Sequence, residues 1–213
     1  MWLIITLSIV LIIVGLVYPS RDPLRVYKDK LGLKKAALVY SQDFTKLKET
    51  ILPVRKSVFS RIEPTIWLYE TDSQQIFLTA NYKKDVRIWL QPKTVLSGIH
   101  IVLDSVKNNT LKRTNLIKDK FPNQKIDLEG DFPNHFKLYC GEGQQIIALQ
   151  IISPDIMSYV VDEMLDLDIE IADNQVAMIS RKSASSEQKL IATIKTALLI
   201  NKLAAAATKV TTL

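Results

Sequence analysis

Leu167-Asp168-Ile169-Glu170-Ile171-Ala172-Asp173-Asn174-Gln175-Val176-Ala177-Met178-Ile179 is the stretch that decides the fold. Apolar and acidic residues alternate from Leu167 to Ile171, the period of a strand with one buried face. Asp173-Asn174 is a turn signal, since both residue types tolerate the left-handed conformation. Val176 to Ile179 then returns as a second strand, so the stretch predicts a β-hairpin. On this reading Asp168 and Glu170 are the outward half of the alternation. With Asp162, Glu163 and Asp166 they form a solvated acidic face. Paired carboxylates could also do acid–base work or hold a hard cation, but the alternation explains these without a site.

The pattern extends in both directions. Downstream, a helix opens at Ser185, with Gln188 placed for a capping box and Leu190, Ile194, Ala197 and Leu198 on one face. Lys195 and Lys202 argue against its crossing a membrane. Upstream, Ser153-Pro154-Asp155 starts a helix whose Met157, Val160, Val161 and Met164 share a face. Gln145 to Ile152 reads as a nearly continuous apolar strand, expected at the centre of the sheet. His135 to Tyr139 reads as another strand, followed by a Gly141-Glu142-Gly143 turn.

Thr65 to Glu70, Gln75 to Ala80, Val86 to Leu90 and Ile99 to Leu103 complete the strand set. Short polar turns join most of them, which predicts an antiparallel meander and not βαβ units. The fold class expected is α+β: a single N-terminal transmembrane helix, then an antiparallel-sheet domain with flanking helices.

Trp2 to Val17 carries no charge, and Trp2 and Tyr18 stand at its two ends. A helix of that length reaches about 25 Å, the short end of what spans a bilayer core. Nothing basic precedes it, and Val17-Tyr18-Pro19-Ser20 lacks the small residues of a cleavage site, so an uncleaved signal anchor is expected. The organisation predicted is residues 1–20 as anchor, 21–54 as a basic juxtamembrane helical segment, and 55–208 as the globular domain. Within the segment, Asp22-Pro23 opens a short helix closed by Gly32, and a second helix is expected over 43–52.

Between Arg21 and Arg61 lie 11 Lys/Arg and 4 Asp/Glu, against 17 and 18 in the remainder of the chain. The basicity is therefore juxtamembrane, while a nucleic-acid partner would want it on the folded domain. Arg21, Arg25, Lys28, Lys30, Lys34 and Lys35 are the residues expected to contact the anionic headgroups of a lipid bilayer. The positive-inside rule then places the N-terminus outside and the domain in the cytoplasm, in a single-pass protein of the cell membrane.

From Glu129 onward a motif order is similar to that of a bacterial, mostly membrane-anchored protein family of unknown function. It comprises Glu129, Phe132, Phe136-Lys137-Leu138-Tyr139, Ile152-Ser153-Pro154-Asp155-Ile156-Met157 and the 167–179 hairpin. The resemblance implies fold and topology; the family has no activity to lend. The chain departs from it at Gly141-Glu142-Gly143 and at Ile147-Ala148-Leu149.

Residues able to carry chemistry are few. His100 and His135 lie on different predicted strands with no ligand-spaced neighbour, so no metal site is assigned. Cys140 is the single cysteine, without an activating CxxC partner. Residues 108–125 read as an exposed polar loop. No catalytic residue and no cofactor is assigned. The function expected is a cytosolic α+β module held at the membrane, serving as a scaffold or binding an unknown protein partner. A membrane-tethered enzyme with a site near Cys140, His135 and the 108–125 loop is the alternative, and it requires those groups to converge.

Overall fold

In a computed structural model, the described residues are 22–39, 65–81, 83–90, 98–108, 116–118 and 122–210. They build nine strands in one sheet: β1 (Lys34–Lys35), β2 (Trp67–Glu70), β3 (Gln75–Ala80), β4 (Val86–Leu90), β5 (His100–Ser105), β6 (Gln124–Ile126), β7 (Phe136–Cys140), β8 (Leu167–Ala172) and β9 (Gln175–Ser180). Their order is β1-β2-β3-β4-β9-β8-β5-β7-β6. Every neighbouring pair is antiparallel. Three helices, α1 (Gln145–Ile151), α2 (Pro154–Asp162) and α3 (Glu187–Val210), accompany a single helical turn at Ala36–Val39.

The predicted hairpin is the β8–β9 pair, with Leu167 opposite Ser180 and Ala172 opposite Gln175. Asp173 and Asn174 form its turn at φ of 48° and 62°, the positive values that a tight hairpin turn demands. The meander expected for the first half is present as β2–β3–β4. Its last strand then pairs with β9, and β5 is placed across the sheet between β8 and β7.

Alternation assigns the two faces. Ile88, Leu90, Ile101, Leu103, Leu138, Ile169, Ile171, Val176 and Met178 point to one side, where they pack with Ala148, Ile151, Ile156, Val160, Leu190, Ala197 and Ile200 of the helices. Burying side chains of this size contributes about 1.5–3 kcal/mol each, so this layer dominates the fold's stability. The opposite face carries a smaller cluster of Trp89, Ala177, Ile179 and Leu116, with Ala36 and Ile66.

The structure corrects the expected fold class. The helices are gathered mostly in the C-terminal part of the chain against one sheet face. Among the described residues, the helix long and apolar enough to cross a membrane is the Glu187–Ala207 stretch of α3, not an N-terminal one. In its most apolar window 56% is buried inside the protein. Leu190, Ile194, Ala197, Ile200 and Ala204 of that stretch belong to the core. Residues 1–21, with the expected anchor and Arg21, and 43–52, with the second juxtamembrane helix, lie outside the described residues.

A second correction concerns Gln145 to Ile152, which forms α1 and no central strand. A run that is apolar on all sides carries no period, so strand and buried helix look alike in it. Here Ala148 and Ile151 enter the core while Ile146 is 73% exposed. The Ser153-Pro154 start of α2 follows as expected. The start of α3 lies one residue later than predicted, where Ser186 Oγ accepts from the Lys189 N–H at 3.3 Å.

The basic segment is built into the domain. Asp22 Oδ1 accepts from the Leu24 N–H at 3.0 Å and starts a 3-10 turn over Pro23–Tyr27. Gly32, at φ +62°, reverses the chain after it. Leu24, Leu33 and Ala36 are buried, and Lys34 and Lys35 pair with Leu68 and Trp67 at the sheet edge. Asp22 also accepts from the indole of Trp67 at 2.5 Å, tying the segment to β2.

Candidate functional site

Of the six cations expected at a membrane surface, the structure describes five, and all five are exposed: Lys34 and Lys35 on β1 at the sheet edge, Arg25 in the 3-10 turn, and Lys28 and Lys30 in the turn that follows it. Lys30 Nζ lies 2.7 Å from Glu187 and Lys34 Nζ 2.8 Å from Glu70. Lys28 is 3.7 Å from Asp29, a looser contact. Arg25 and Lys35 have no ion-pair partner among the described residues. Hydrogen bonding to Glu187, then its charge, raises the Lys30 ammonium pKa. Hydrogen bonds from Lys34 and then Gln75 lower that of the Glu70 carboxyl. Exposed pairs of this kind contribute little to stability. They do offset the local positive charge, leaving Arg25, Lys28 and Lys35 as its most available part. Val26, beside Arg25, is 77% exposed, which adds an apolar side chain to the cationic edge.

Within the acidic cluster Asp162 is exposed, but Asp168 and Glu170 are not the solvated face that alternation predicted. Asp168 and Glu170 are 4% and 2% exposed. Glu170 accepts from three successive backbone N–H groups, of Leu116, Ile117 and Lys118, at 2.5, 2.9 and 3.0 Å. His100 Nε2 lies 3.0 Å from the same carboxylate. Lys118 Nζ is 3.0 Å from Asp173 in the hairpin turn. The 116–118 segment, read from sequence as part of an exposed loop, is thus clasped over the sheet, and Leu116 is buried.

Asp168 accepts from the Ser105 N–H at 2.9 Å and from Arg181 Nη2 at 2.6 Å. Arg181 Nη1 reaches Asp166 at 3.2 Å. Burial opposes the guanidinium charge, but the hydrogen bond and charge of Asp168, with Asp166 behind them, outweigh it and raise the Arg181 pKa. These networks close on themselves. Each buried carboxylate has donors around it, which is the arrangement of a structural clasp. Alternation could not reveal this, because it identifies the residues sharing a face and not what covers that face.

The groups required by the enzymatic alternative do not converge. Cys140 is fully buried at the end of β7, and its Sγ contacts Gln124 Oε1 at 3.9 Å. Burial raises its thiol pKa, the reverse of nucleophile activation. His135 precedes the other end of β7, roughly 13 Å of strand away, and lies 3.1 Å from Asp131 on the surface. His100 joins Glu170 instead. Among the described residues no group of three His, Cys, Asp or Glu is placed to hold a metal ion.

Sequence reasoning missed a groove between the β2–β3 turn and helices α2 and α3. It has a volume of about 460 Å³ and is lined in part by Gln74, Tyr159, Lys195, Leu198, Leu199 and Lys202. The i, i+3, i+4, i+7 spacing of 195, 198, 199 and 202 is visible in the chain. Only the fold brings Gln74 and Tyr159 against it.

No protein-family model matches the chain, and no curated protein does. Among solved structures, it is similar to the crystal structure of the mycobacterial trehalose monomycolate transport factor A, TtfA. The TM-score is 0.54 at 14% identity, over 86% of this chain and 93% of that one. At that identity the likeness is one of fold.

Proposed function

We propose that the protein is a membrane-associated, non-enzymatic accessory module that binds a protein partner in a lipid-handling assembly. Its cationic β1 edge would face the anionic headgroups of the cytoplasmic leaflet. The observation that carries the reading is the basic 25–35 segment, where Arg25, Val26, Lys28 and Lys35 are all exposed on a framework anchored by buried Leu24 and Leu33. Cations near an anionic leaflet contribute very roughly 1 kcal/mol each, so three suffice to orient a small domain. The fold shared with a transport factor supports an accessory role. Membership of the family of unknown function indicated by the 129–179 motif order is part of the same proposal.

The test is flotation of the full chain with phosphatidylcholine vesicles made with and without phosphatidylglycerol. The bound fraction should rise with phosphatidylglycerol and fall with salt. The triple variant Arg25→Glu, Lys28→Glu, Lys35→Glu should lose that increment alone. Equal binding to both vesicles would remove the basis of the proposal.

A further inference from the structure

The groove beside α3 has a floor and ends of different chemistry. Lys195, Leu198, Leu199 and Lys202 form one stripe of the helix. The two lysines stand about 10 Å apart along the axis, with the leucines between them. Leu199 is 36% exposed, more than its apolar surface favours. Tyr159 of α2 closes one side; burial, then the Glu163 charge, raises its phenol pKa. Among the described residues no acidic one lines the groove, and neither lysine has an ion-pair partner.

On the other side the groove is closed by Gln74 of the β2–β3 turn. At about 460 Å³ the space falls in the size range of small-ligand cavities, about 300–1,000 Å³.

From this we infer that the groove binds a single-chain anionic lipid. The tail lies along Leu198 and Leu199 beside Tyr159. The head's negative charge meets Lys195 or Lys202. The inference concerns a different surface from the cationic β1 edge and stands or falls separately from the membrane reading.

The experiment is calorimetric titration of the full chain with lauroyl-lysophosphatidylglycerol below its micelle concentration. Lauroyl-lysophosphatidylcholine, laurate and glycerol 3-phosphate are run beside it. Lysophosphatidylglycerol should bind best, the choline analogue about tenfold more weakly and glycerol phosphate not measurably. The double variant Lys195→Gln, Lys202→Gln should lose about tenfold in affinity. Each variant's thermal melt confirms that it folds, which the exposure of both lysines favours. Equal affinity for the choline analogue, or wild-type affinity in the double lysine variant, would overturn the assignment. So would loss of binding in the Arg25, Lys28, Lys35 variant, since that would place the ligand on the edge.

Discussion

His100 Nε2 on β5 lies 3.0 Å from Glu170 Oε1 on the neighbouring β8, on the sheet face opposite the helices. Three consecutive backbone N–H groups, from Leu116 to Lys118, converge on the same carboxylate. One side chain thereby joins two strands to a segment more than 50 residues upstream of it.

Glu170→Gln keeps the shape and removes the charge. Hydrogen bonds to a charged acceptor are worth about 1.5–3 kcal/mol each, and an amide oxygen retains part of them. The expected loss is about 2–4 kcal/mol in urea denaturation. Amide exchange at residues 116–118 should accelerate ahead of that in β8. Unchanged protection of those three amides would show that Glu170 does not hold the segment.

Arg181→Met takes the guanidinium from buried Asp168. Removing one partner of a buried pair typically costs about 3–5 kcal/mol, and adding Asp168→Asn should recover part of it. Arg181→Lys should fall between, because an ammonium cannot reproduce the fork that serves Asp166 and Asp168 together. A double variant no more stable than Arg181→Met alone would rule out this coupling.

Cys140 gives the pH dependence. Burial raises its pKa in the folded state above the usual thiol value of 9.0. Its contribution to stability is therefore complete below the unfolded pKa, and it is lost as pH rises through the folded one. The stability of the wild type relative to Cys140→Ala should decline above about pH 9. Below it, the native thiol should react with a disulfide reagent far more slowly than the urea-unfolded chain. Rapid native reaction at neutral pH would reopen a nucleophilic role.

Much of the architecture is legible in local chemistry. The β8–β9 hairpin follows from its alternation and Asp173-Asn174, and the β2–β3–β4 meander from its polar turns. Pro154 and the Ser186 region mark where helices begin. Legibility stops at Gln145 to Ile152, where uniform apolarity hides the period of α1. It stops again at Asp168 and Glu170, whose carboxylates look solvated until Arg181 and the 116–118 segment are placed over them. The groove was half legible: its lysine and leucine stripe is in the chain, but Gln74 comes from a turn more than 100 residues earlier.

The sequence by itself determined the β8–β9 hairpin, the β2–β3–β4 meander and a positive charge concentrated between residues 21 and 61. Periodicity and charge are properties of neighbouring residues, and no fold is needed to read them. The tertiary structure decided that α3 packs against the core, which carboxylates are buried and where a helix stripe of two lysines and two leucines faces the β2–β3 turn. Those outcomes depend on burial by distant segments, and desolvation belongs to the assembled surface and not to any stretch of chain.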